Sequence, residues 1–93
     1  MSKIKELFDS LKMTNQDVLI IAETLYEKLN EPKVSAKDNQ ICYIVKKNKT
    51  QHLLFIDDIG DIEYIKKTGN DIDYKVFYFE DGINIDDIIK KIN

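Results

Sequence analysis

Arginine and tryptophan are absent from this 93-residue chain, and cysteine, proline and histidine occur once each, as Cys42, Pro32 and His52. Without arginine there is no planar fork to grip a phosphate or a guanine edge with two hydrogen bonds at once. One cysteine excludes an internal disulfide and a cysteine-based zinc site. The longest unbroken apolar runs, Val18–Ala22 and Ile41–Val45, fall far short of a membrane span. The opening MSKIKELF carries no signal-type apolar region, so a cytoplasmic location is expected. No repeat, low-complexity tail or internal linker interrupts the chain.

What is present describes a small globular protein. Apolar residues make up 43% and charged residues 33%, too apolar for disorder. The length fits one domain, residues 1–93, with a modest core and therefore marginal stability that a partner subunit would help. All fourteen basic residues are lysine. Residues 1–56 hold nine lysines and seven acids, whereas residues 57–93 hold five lysines and ten acids. An acidic half of this kind argues for a cationic partner and against generic nucleic-acid binding.

Periodicity predicts an α+β fold. Residues 3–12 form a first helix, capped by Ser2, with Ile4, Leu7, Phe8 and Leu11 on one stripe. Thr14–Asn30 is the central helix. Thr14 is its expected cap, and its apolar arc is wide enough to bury it between the first helix and a sheet. Pro32 ends it, and residues 31–39 read as a surface loop. Four strands follow at Gln40–Lys47, Gln51–Asp57, Ile62–Lys67 and Asp73–Glu80, joined as a mostly antiparallel meander. Asn84 caps a C-terminal helix with Asp86 and Asp87 in its first turn and Lys90 and Lys91 in its last, the order a helix dipole favours.

Three patterns carry candidate chemistry. Asp57, Asp58, Asp61 and Glu63 crowd a turn between strands, and Asp73-Tyr74-Lys75 follows in a strand that places Asp73 and Lys75 on one face. Asp57, a gap, then Asp-x-Lys resembles the restriction-endonuclease-like nucleases. That resemblance implies a metal held by Asp57 and Asp73, with Lys75 assisting the attacking water and Glu23 or Glu27 completing the site. An EF-hand is excluded, because no loop has the required ligand ladder. Cys42 and His52 would form a nucleophile pair if the hairpin set them on one sheet face, although a half-buried histidine and a small apolar cysteine are commoner. Residues 11–25, LKMTNQDVLIIAETL, have the cadence of a helix-turn-helix, and Lys46, Lys47 and Lys49 sit where a winged helix carries a basic hairpin tip. Strands follow where a recognition helix should stand, so direct nucleic-acid binding is disfavoured.

With no catalytic constellation and no cofactor motif, the reading that remains is a small acidic protein-binding module. Its candidate contact residues are Asp57, Asp58, Asp61, Glu63, Asp71, Asp73, Glu80 and Asp81, and its expected partner is a basic protein surface, such as that of a nucleic-acid-handling protein. Size and composition are similar to those of small phage and mobile-element regulators, including anti-CRISPR inhibitors and DNA mimics. Tyr43, Tyr64, Tyr74 and Tyr78 alternate along strands, and an uncovered aromatic sheet face would make a second copy of the chain the alternative partner.

Overall fold

Each helix begins on a short polar side chain. Ser2 Oγ accepts a hydrogen bond from the Lys5 amide at 2.9 Å and starts α1 (Lys3–Ser10). Asn15, not the expected Thr14, caps α2 (Gln16–Lys28), its Oδ1 accepting from the Asp17 amide at 2.9 Å. Asn84 Oδ1 accepts from the Asp87 amide at 3.3 Å and starts α3 (Ile85–Ile92). Lys12 and Asn30 take left-handed backbone angles just past α1 and α2. The amides that follow them, Met13 and Glu31, turn back to the carbonyls of Phe8 and Tyr26 and satisfy the helix ends. α2 therefore closes before Pro32 is reached.

The computed structural model describes residues 2–93. Between α2 and α3 run β1 (Lys33–Lys37), β2 (Gln40–Lys47), β3 (Thr50–Ile56), β4 (Ile62–Thr68) and β5 (Asp71–Phe77), then a single 3-10 turn at Phe79–Asp81. Every strand pairs antiparallel with its chain neighbour, in the order β1-β2-β3-β4-β5. The α+β class and the meander are as the periodicity predicted, but the sheet has five strands rather than four. The added strand is β1, inside the stretch read as a loop. It is joined to β2 by the two-residue turn Asp38-Asn39, with φ of 52° and 62°. Two successive residues at positive φ match the right-handed twist of a tight hairpin, and aspartate and asparagine tolerate that conformation best after glycine.

Alternation assigns each strand's side chains to two faces. Ile41, Ile56, Ile62 and Phe77 form one row across the helix-facing side, and Val34, Tyr43, Leu54, Tyr64 and Lys75 form the next. The buried members of these rows pack with Ile4 and Phe8 of α1, Val18, Ala22 and Leu25 of α2, and Ile88 and Ile92 of α3. All three helices thus contribute to a core on one side of the sheet. Two tyrosines fasten the layers. Tyr43 Oη donates to the Ala22 carbonyl at 2.6 Å, and Tyr64 Oη lies 3.3 Å from the Lys91 carbonyl. The apolar arc of α2 is narrower than expected, since Ile20 is 61% exposed. Among the described residues no helix is long and apolar enough to cross a membrane.

Candidate docking surface

Among the described residues, no helix lies on the opposite face of the sheet. Its apolar side chains are Cys42 and Ile44 on β2, Leu53 and Phe55 on β3, Ile65 on β4, and Ile72, Tyr74 and Val76 on β5. None of them belongs to the helix-side core or packs against it. They shield one another in part: Cys42 is buried and Ile44, Leu53, Phe55, Ile65 and Val76 are half-buried, while Ile72 and Tyr74 are 63% and 60% exposed. Eight neighbouring apolar side chains over four strands thus form a contiguous apolar patch. β1 borders it with Lys33, Ser35 and Lys37, a polar strip of the kind that blunts an edge strand.

The face has electrical polarity along the strands. A meander returns every second turn to the same end of the sheet. One end holds Asp38 of the first turn, Asp57, Asp58 and Asp61 of the third, and Glu80 and Asp81 after β5, with Glu63 just inside it on the open face. The other end holds Lys46, Lys47 and Lys49 around the second turn and Lys66 and Lys67 before the fourth. Lys46 and Lys67 lie on the open face, and Lys33 stands beside Ile44 near the same end. Lys37 at the acidic end and Asp71 and Asp73 at the basic end, the two aspartates on the helix-facing side, are the exceptions.

The eight acidic residues read from the sequence do not converge. Asp71 and Asp73 lie on the helix-facing side at the basic end, apart from the other six. Two of those six have internal work. Asp57 Oδ1 accepts from the amides of Ile59, Gly60 and Asp61 at 3.0, 2.9 and 3.0 Å, and Asp61 Oδ1 accepts from the Phe79 amide at 2.9 Å. These bonds build the β3–β4 turn and pin the chain after β5 onto it. Gly60 sits beneath that pin at φ +103°, and a Cβ there would stand 2.6 Å from Phe79 Cδ1. Asp58, Glu80 and Asp81 remain exposed at the same end.

The nuclease constellation is spread over the molecule. Asp73 lies four residues along β5 from the row that Asp57 follows, about 13 Å, and two strand spacings across, about 10 Å. Glu23 and Glu27 line a different cleft, with Lys3 and Tyr26, between α1 and α2. Asp73 and Lys75 do share a face, where they line a cleft of about 420 Å³ with Tyr64, Lys66, Tyr74 and Lys91. No three His, Cys, Asp or Glu side chains among the described residues are gathered as a metal would require.

Cys42 and His52 lie on opposite faces, because the β2–β3 register pairs Cys42 with Phe55 and His52 with Val45. His52 is buried with its Nδ1 2.8 Å from Tyr64 Oη and its ring stacked on the tyrosine at 5.9 Å. One proton order satisfies both contacts of that hydroxyl: Nδ1–H donates to Oη, and Oη–H donates to the Lys91 carbonyl. Burial, with Lys66 and Lys47 nearby, pushes the imidazole below its ordinary pKa. Burial likewise raises the Cys42 thiol, an effect that Lys37 and Ser35 oppose. A raised thiol is a poor nucleophile. Of the basic hairpin tip, Lys46 lies on the open face, whereas Lys47 reaches the Asn93 side chain on the other.

The four tyrosines read as strand residues divide as well, and Tyr78 lies just past the end of β5. Tyr43 and Tyr64 are buried in the helix-side core, and Tyr74 and Tyr78 are exposed. From sequence, an uncovered face was one of two alternatives, because β3 reads as apolar on both sides, which an inner strand and a one-sided sheet share. The chain matches no family model, no curated protein and no solved structure.

Proposed function

We propose that this chain is a non-enzymatic protein-binding module that works by laying the open face of its sheet on a protein surface. The observation that carries the reading is the band from Ile44 through Leu53, Phe55 and Ile65 to Tyr74, which the fold leaves without a covering layer. Association would bury these side chains at about 25 cal/mol per Å² of apolar area, the usual origin of affinity at such a face. The polar ends supply orientation and encounter rate more than affinity. The complementary surface has an apolar centre and a cationic patch that meets Asp58, Glu63, Glu80 and Asp81. That description asks for a protein surface with a basic patch beside an apolar one as the partner.

Leu53→Glu places a charge in the middle of the band without touching the helix-side core. Tagged wild type and this variant, incubated with lysate of the source cells and washed at low and high salt, give the test. Proteins retained by the wild type and lost by Leu53→Glu support the reading. Retention of the same proteins by both would show that the open face is not the contact.

A further inference from the structure

We infer that a second copy of this chain covers the open face, packed face to face with its strands reversed, so that the basic end of each sheet lies over the acidic end of the other. The inference rests on the docking reading above and names the occupant of the same face.

Two arguments lead to it. The first is charge. A two-fold dimer must be complementary to itself, every contact occurring twice. A two-fold axis along the strands would stack acid on acid and lysine on lysine. An axis across the strands sets Lys46 and Lys67 of one copy over the Glu63 and Asp58 end of its mate, and the reverse. The chain's own surface therefore has the apolar centre and cationic patch that this face asks of a partner. The like-charged strips of β1 are the mismatch, and Lys33 and Lys37 stand at the sheet edge, where long side chains turn outward to water.

The second argument is size. The four strands that carry the apolar side chains, at about seven residues each, give a face of roughly 19 by 23 Å, a footprint of about 440 Å². Two such footprints bury on the order of 900 Å², close to the ~1,000 Å² lower bound for a specific interface and in the range of weak, transient ones. Two sheets stacked about 10 Å apart in this way form a sandwich whose second core is the present bare face. An interface near the lower bound predicts a dimer that dissociates on dilution.

Sedimentation equilibrium over a broad concentration range tests this directly. The expected result is a monomer–dimer equilibrium between 10.9 kDa and twice that mass. Leu53→Glu abolishes the dimer, and Tyr74→Glu, at an exposed position that folding does not need, weakens it at least tenfold. Lys67→Glu and Glu63→Lys each raise the dissociation constant, and the double variant recovers affinity. Circular dichroism of each variant checks that the fold is kept. A dimer indifferent to Leu53→Glu and Tyr74→Glu lies elsewhere and overturns the inference. Failure of the double variant to recover overturns the reversed orientation. A wild type that stays monomeric at millimolar concentration also overturns it, and dye binding then separates the two readings. A monomer that binds an apolar fluorescent dye in a Leu53-dependent way leaves the docking face standing with a different occupant. A monomer with no such binding removes the docking reading too.

Discussion

Replacing Asp57 by alanine should destabilise the protein, and the size of the loss follows from the turn it holds. One carboxylate oxygen accepts three backbone amides, those of Ile59, Gly60 and Asp61. The Ile59 bond is exposed, so water replaces it at little cost. The Gly60 and Asp61 bonds are part-buried, and a net loss of about 1 kcal/mol each is the usual scale. Gly60 keeps a weaker contact to the Asp57 carbonyl at 3.2 Å, which trims the total. Against this stands relief of repulsion among Asp57, Asp58 and Asp61, a few tenths of a kcal/mol for exposed charges. The bonds win, and the net cost is about 1.5 kcal/mol. With a urea slope of roughly 1–1.5 kcal/mol/M for so short a chain, the unfolding midpoint falls by about 1 M or more. Asp57→Asn keeps an oxygen acceptor and loses less than half as much. Urea titration followed by circular dichroism measures both. A midpoint that holds or rises in Asp57→Ala would show that the carboxylate is not a structural acceptor, and would return Asp57 to the partner or metal roles its sequence position suggested.

Two further outcomes follow from the layer contacts. Tyr43→Phe removes the hydroxyl that donates to the Ala22 carbonyl in the core, and should lower stability by about 1 kcal/mol, or ~4–8 °C in Tm, while leaving the spectrum unchanged; an unchanged Tm would mean that the bond contributes nothing. Because His52 has a depressed pKa in the fold, the unfolded chain takes up its proton near pH ~6.5 while the native chain resists it. Stability should therefore fall as pH drops through that value toward the native pKa, and be flat in this respect above it. Urea unfolding between pH 5 and 8 should show this slope in the wild type and lose it in His52→Gln, and equal slopes would refute the assignment.

The sequence was most informative where one residue does one job. Ser2 and Asn84 were legible as caps because a short oxygen-bearing side chain precedes a 3.6-residue stripe in each case. β2 was legible to its ends, Gln40–Lys47, because an unbroken run of five apolar residues, Ile41–Val45, stands between two turn-forming stretches. β1 was not, since Lys33-Val34-Ser35-Ala36-Lys37 offers only Val34 and the small Ala36 on its apolar face, too little to announce a strand. Its strand character comes from pairing with β2 through the Asp38-Asn39 turn, a tertiary cause that local composition does not carry. At the next level Cys42 and His52 went astray for a related reason. Face assignment depends on register, and a shift of one residue exchanges every side chain between core and open face.

Charge shows why the site was harder to read than the fold. Counting along the chain divides it into a slightly basic first part and an acidic second part, and suggests an acidic molecule with one kind of partner. Folding sorts the same residues by turn parity instead. The third turn and the segment after β5 are rich in aspartate and glutamate and meet, with Asp38 of the first turn, at one end; the lysines around the second turn and those before the fourth meet at the other. Lys66 and Lys67, from the acidic part of the chain, thus join Lys46, Lys47 and Lys49 from the basic part. Net charge governs solubility and long-range encounter, whereas the arrangement across a face governs which surface fits it. For a sheet with one bare apolar side, that arrangement decides between a uniformly basic partner and one that carries both signs, and the reversed polarity needed is the one this sheet already presents to its own copy.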